Sequence, residues 1–217
     1  MAFARRPAQT ARRRRRRHDA IRGAALGFVV VGLFLIFTFG YGLWRGYTVQ
    51  QDLNRAWLAE VDKHQTAPPV VDPSLQHPVN GVDFAIRVPK LDYFAAVREG
   101  IDSTSLYSGP GHYPTTVWPG SVGMVGVAAH NVYWINFPQL QRGDEIDLET
   151  RYGVYRYRVT GTRIVEPDDR TVLVPDSNGY HLTLTTCWPL WAGAFATQRY
   201  VIFTTQVSPA PAERAIA

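Results

Sequence analysis

The chain has a single cysteine, Cys187, in 217 residues. An intramolecular disulfide and a cysteine-built zinc site are therefore excluded, and the thiol is either an inert core residue or a reactive group. Charge is missing from Gly23 to Trp44, 22 residues without one Asp, Glu, Lys, Arg or His. Acid is nearly missing from residues 1–22, where nine arginines stand against Asp19 alone. The rest of the chain carries 14 Lys and Arg against 17 Asp and Glu, so the net charge of +5 belongs to the tail and the remainder is mildly acidic. No nucleic-acid-binding face is expected on such a domain. Apolar residues at 46% and charged residues at 19% exclude a disordered chain. The length allows one domain plus an anchor.

The uncharged stretch explains the basic tail. As a helix, Gly23–Trp44 is roughly 33 Å long, close to the hydrocarbon thickness of a bilayer. Its centre, Phe28 to Phe39, is apolar on every side, whereas an amphipathic helix of a soluble protein shows a polar stripe. No small-x-small cleavage site follows Trp44, which argues against a removed signal peptide. Tyr41, Trp44 and Tyr47 suit an interfacial belt. The arginine run Arg12–Arg17 lies before the span, so the N-terminus is expected in the cytoplasm and everything from about residue 45 outside. Leu53, Trp57, Leu58 and Val61 continue a helical spacing beyond the span. Four prolines between Thr66 and Asn80 then read as a linker.

From Gly81 onward no long helical period occurs, and short alternating runs take over. Phe84, Ile86 and Val88 form one. Val122–Ala129 is a small apolar run. Ile146 and Leu148, Tyr155, Tyr157 and Val159, Leu182 and Leu184, and Arg199–Thr205 follow. Turn signals separate them at Arg142-Gly-Asp, Tyr152-Gly, Pro167-Asp-Asp and Ser177-Asn-Gly. About eight strands in roughly 125 residues predict a small β-barrel or sandwich.

On the strand Tyr180–Cys187, Leu182, Leu184 and Thr186 share one face, and Thr183, Thr185 and Cys187 share the other. Pro189 cannot continue the ladder, so the thiol sits at a strand end beside a loop. A cysteine nucleophile needs a proton acceptor and a donor for the developing oxyanion. His112, His181 and His130 are the candidate acceptors. His130 ends the apolar run Val125–Ala129 and is favoured because strand ends commonly carry function. An arginine supplies a donor that keeps its charge.

These residues resemble a known family. Thr183-Leu-Thr-Thr-Cys187 followed by Arg199 is similar to the TLxTC strand and the downstream arginine of the sortases. Ala129-His130-Asn131 resembles the catalytic-histidine segment, with Ala129 where glycine is common. Val88-Pro-Lys-Leu91 resembles the early IPKI segment, and Gly109–Pro114 the turn before the histidine strand. The spacing agrees as well, with His130 57 residues before Cys187 and Arg199 12 residues after it. Cys187-Trp-Pro-Leu190 looks most like class D, and class E also fits.

The resemblance implies an eight-stranded sortase barrel behind a transmembrane helix. The expected divisions are a basic cytoplasmic tail at 1–22, the span at 23–44, an extracytoplasmic helix and linker at 45–81, a catalytic domain at 82–207 and a tail at 208–217. It implies that Cys187 attacks the Thr–Gly bond of an LPxTG-like sorting signal on a surface protein. His130 is the acid and base, and Arg199 the oxyanion donor. The acceptor is an amine of a peptidoglycan precursor or a pilin. Thr183, Thr185, Asn131 and Trp188 are expected to contact the substrate. No dedicated acidic loop suggests calcium, and no cofactor or metal is expected. Two other readings compete: a non-catalytic membrane-anchored β-domain that binds an envelope partner, and a papain-like hydrolase. The latter places its cysteine at a helix start instead of after a threonine-rich strand.

Overall fold

Runs of β-formers broken by turn residues need a partner for every strand edge, and closing the sheet on itself supplies one. The computed structural model describes residues 7–61, 71–174 and 179–209. Residues 1–6 of the basic tail, residues 66–70 of the linker, Ser177 and Asn178 of the fourth turn signal, and residues 210–217 lie outside the described residues. Two compact units are present, Met1–Arg45 and Gly46–Ala217.

The first unit is helical. Helix α1 runs Pro7–Val61, and its part up to Arg45 belongs here. Phe28, Phe34, Ile36 and Phe39 are exposed in this unit. By length and composition α1 is able to cross a bilayer.

The second unit is a closed barrel of eight strands. They are β1 (Val82–Val88), β2 (Tyr93–Glu99), β3 (Gly111–His112), β4 (Gly123–Ala129), β5 (Glu145–Thr150), β6 (Gly153–Val165), β7 (Tyr180–Trp188) and β8 (Gln198–Ser208). The order around the barrel is β1-β2-β3-β4-β7-β8-β6-β5, and β5 closes onto β1. The β2–β3 and β4–β7 pairs are parallel and the others antiparallel. Phe84, Ile86, Val125, Val127, Ile146, Leu148, Tyr155, Tyr157, Leu182 and Leu184 are buried in one core.

Strand β2 does not alternate. Phe94-Ala-Ala-Val97 is a continuous apolar run, because β2 is covered on both sides. The tight turn before β1 uses Asn80 and Gly81, both at positive φ, and Val79 bridges to Val82 across it. His112 of β3 is inside the barrel. Its Nδ1 lies 2.8 Å from Asp83 Oδ2, and the two side chains are 2% and 1% exposed. Thr116 Oγ1 donates to the Tyr113 carbonyl and accepts from Gly126 N–H, so His112 Nε2, 3.1 Å away, carries a proton toward it.

The C-terminal end of α1 is built into this unit. Gln50, Asn54, Trp57 and Val61 recur at spacings of four, three and four, and all four are buried. Strand β3 pairs with β2 only at Arg98 and Glu99. At Ala96 the helix takes over the role of a strand: Ala96 N–H donates to Asn54 Oδ1 at 2.8 Å, and Gln50 Nε2 donates to Ala96 O at 3.0 Å and to Asn54 Oδ1 at 2.8 Å. Amides on a helix thus finish a sheet edge that would otherwise be buried unpaired.

Two stability outcomes follow. Asn54→Ala leaves the Ala96 N–H without an acceptor and costs about 1–3 kcal/mol in urea unfolding; an unchanged midpoint would show that water replaces the amide. His112→Ala leaves the Asp83 carboxylate buried without its partner and costs about 3–5 kcal/mol by the same measurement.

Candidate active site

The β4–β7 register runs without a slip from Gly123↔Tyr180 to Ala129↔Thr186. The next residue on β7 is Cys187, and His130 is the first residue past the end of β4, so the two stand at the same end of this strand pair. On the other side of β7 the antiparallel register sets Cys187 opposite Arg199. Imidazole, thiol and guanidinium therefore gather at one end of β4, β7 and β8. All three line a cavity of about 240 Å³. Thr185, Thr186, Ala128, Ala129, Tyr113, Ile101 and Leu106 complete its wall.

Local chemistry holds the group in place. Thr186 Oγ1 donates to the Ala129 carbonyl at 2.8 Å, tying β7 to the residue before His130. After His130 the chain turns, with Tyr133 N–H bonded to His130 O at 3.0 Å. Asn131 Nδ2 donates to the Leu190 carbonyl at 2.7 Å, joining that turn to the loop after Cys187. The Tyr133 hydroxyl donates to the Tyr107 carbonyl on the β2–β3 connection. The histidine turn is thus fastened to both neighbouring walls.

Cys187 is a free thiol, half-buried. His130 is open to solvent, yet enough protein surrounds the ring that loss of hydration lowers its pKa below the ordinary histidine value of 6.5. Arg199 is half-buried and its Nη1 donates to Gln198 O at 3.0 Å. Among the described residues no carboxylate forms a salt bridge with it, and it lines the cavity.

The competing histidines lie elsewhere. His112 is buried with Asp83, and His181 lines a second cavity of about 380 Å³. Of the residues expected to touch substrate, Thr185 lines the Cys187 cavity. Thr183 lines the second cavity, further along the same face of β7. Asn131 spends its amide on Leu190, and Trp188 packs its ring on Tyr200 at 5.4 Å between centroids. Sequence reasoning missed Tyr113, whose hydroxyl is 3.0 Å from Thr185 Oγ1 in the cavity wall. A tyrosine in a Gly-Pro-rich turn gives no sign that it reaches another strand. It also missed Ile101 and Leu106, which lie on a connection without regular pattern.

A barrel with a thiol at one strand end, flanked by imidazole and guanidinium on adjacent strands, defines a class of cysteine-bearing β-barrel proteins. The sortase domain model matches residues 86–207, and the chain belongs to the sortase family. Sortase D of Bacillus subtilis (strain 168) is 29% identical over 124 residues, which are 57% of this chain and 63% of that relative's length. Among solved structures, the Clostridium perfringens Sortase D5 transpeptidase aligns at a TM-score of 0.62 and 21% identity, over 74% of this chain and 99% of that one. Sortase E1 from Streptomyces coelicolor, solved with a tripeptide in its active site, aligns at 0.52 and 27% identity, over 58% and 88%. The closed eight-stranded barrel expected from the sequence is the one found.

The electrostatic reading is checked by an NMR titration of the His130 ring. A midpoint below 6.5 is expected; a midpoint at or above 6.5 contradicts the desolvation account.

Proposed function

We propose that this sortase is a cysteine transpeptidase acting on an LPxTG-like sorting signal. Cys187 Sγ attacks the threonine carbonyl carbon, and the Thr–Gly C–N bond breaks. His130 takes the Cys187 thiol proton as the sulfur attacks and delivers it to the departing glycine nitrogen, leaving a thioester on Cys187. An amine then attacks the thioester, His130 accepts its proton, and the thiolate leaves with the new amide formed. Arg199 hydrogen-bonds the oxyanion in both steps. The acceptor is an amine of a peptidoglycan precursor or a pilin. The observation that carries this reading is the gathering of His130, Cys187 and Arg199 in one cavity.

Thr185 contacts the signal beside the thiol, and Thr183 contacts residues that precede it along β7. Asn131 and Trp188 act by holding the walls of the groove. Residues 1–22 are a cytoplasmic tail, 23–44 span the cell membrane, and 82–207 work outside it on the extracytoplasmic helix and linker 45–81. The lowered pKa of the His130 ring favours release of its proton to the leaving nitrogen.

The test is product analysis by mass spectrometry on LPxTG and LAxTG peptides with candidate amines. Cys187→Ala abolishes transpeptidation while keeping the fold, and His130→Ala and Arg199→Ala each lower it severely. Retained turnover by purified Cys187→Ala refutes the assignment. His112→Ala lowers transpeptidation less than His130→Ala does. A His112→Ala variant that stays folded but loses more activity than His130→Ala shows that the wrong histidine was chosen.

A further inference from the structure

The turn that carries His130 is fastened at its far end by a hydroxyl. Tyr133 N–H closes the turn on the His130 carbonyl at 3.0 Å, and the Tyr133 hydroxyl donates to the Tyr107 carbonyl. Tyr107 follows Leu106, which lines the Cys187 cavity, and Leu106 N–H is bonded to the Asp102 carbonyl at 2.9 Å. The hydroxyl therefore joins the turn of the imidazole to a wall of the thiol's cavity. A third element backs this bond. Gly46, the first residue of the barrel unit, is buried, and a Cβ there would stand 2.8 Å from Tyr133 Oη and 3.0 Å from the Tyr107 carbonyl oxygen. One turn further along α1, Gln50 lies against the same connection: a Cβ on Gly109 would stand 1.9 Å from Gln50 Oε1. Gln50 Nε2 donates to Ala96 O at 3.0 Å, which holds this part of the helix to β2. Glycine is a poor helix residue and alanine the best. Gly46 has no positive φ that would call for glycine, so what it permits is the close approach to the Tyr133–Tyr107 bond.

We propose that Tyr133 is a positioning residue for His130, and that the α1 turn at Gly46 holds Tyr133 in place. The hydroxyl pins the turn, the turn aims the imidazole into the Cys187 cavity, and the bare helix backbone keeps the hydroxyl on its acceptor. Neither Tyr133 nor Gly46 lines the cavity, so both act through His130 and not on the peptide. A small displacement of a proton-transferring group slows the reaction strongly and leaves peptide binding along β7 intact. The kinetic consequence rests on the acyl-transfer reading of Cys187; the placement of the imidazole does not.

The test uses the full chain in detergent micelles. Tyr133→Phe removes the hydroxyl and keeps the ring. Gly46→Ala inserts the Cβ and leaves the turn and the cavity lining unaltered in sequence. Both are followed by transpeptidation kinetics, by NMR titration of the His130 ring and by thermal melting. Each variant is expected to lower kcat roughly tenfold with KM little changed. Each is expected to raise the His130 midpoint, because a loosened ring regains the hydration whose loss lowers its pKa. Gly46→Ala is expected to melt no lower than the wild type, since alanine favours the helix. The double variant is expected to match the single ones, since all three lose the same bond. An unchanged midpoint or an unchanged kcat in either single variant overturns the proposal. Losses that add in the double variant overturn it too, as does activity that falls only with the folded fraction. A wild type that turns over no sorting peptide sinks the acyl-transfer reading instead. The two midpoints then decide the placement of His130, raised in support of it and unchanged against it.

Discussion

The unbroken register between β4 and β7 is the constraint on which the site depends. Side chains alternate faces along a strand, so a slip of one residue turns His130 to the other face or moves it a full step from Cys187. The register is set from within the core, where Val125 pairs with Leu182 and Val127 with Leu184, and all four are almost fully buried. The Thr186–Ala129 bond locks the last pair before the reacting groups. Arg199 is then placed by the neighbouring antiparallel pair, opposite Cys187 itself. A packed core on one side of the sheet thus fixes a polar cluster at its end.

The loops extend this rigidity to the cavity walls. Asn131 binds the loop after Cys187, and Tyr133 binds the β2–β3 connection, which contributes Ile101 and Leu106 to the same cavity. That connection follows β2, whose outer edge is finished by Gln50 and Asn54 of α1. The helix end at 46–61 is therefore a structural part of the barrel unit. Groups held on strands and tied loops keep reacting geometry better than groups on free loops.

Much of this was legible in the residues, for physical reasons. Strands with one buried and one open face, such as that of Tyr155, Tyr157 and Val159, show their period directly. Strand β2 did not, because it is covered on both faces, and β3 has only two residues, too few for any pattern. Gln50 and Asn54 look like a solvent face in sequence; their burial depends on an unfinished edge 42 residues away or more. The convergence of His130, Cys187 and Arg199 was legible because each stands at a strand end in a recognisable segment. Tyr113 and the tether made by Asn131 were not, since both act through partners on other strands that only the closed barrel brings near.

The central claim is that the cluster at the strand ends performs acyl transfer through sulfur. The most direct measurement is rapid acid quenching of the enzyme with a sorting-signal peptide, followed by mass spectrometry of the digested protein. The account predicts a peptide fragment ending in threonine, attached to Cys187 as a hydroxylamine-labile thioester, and formed faster than product when the amine is withheld. Cleavage of the peptide with Cys187 unmodified at every time point would contradict it.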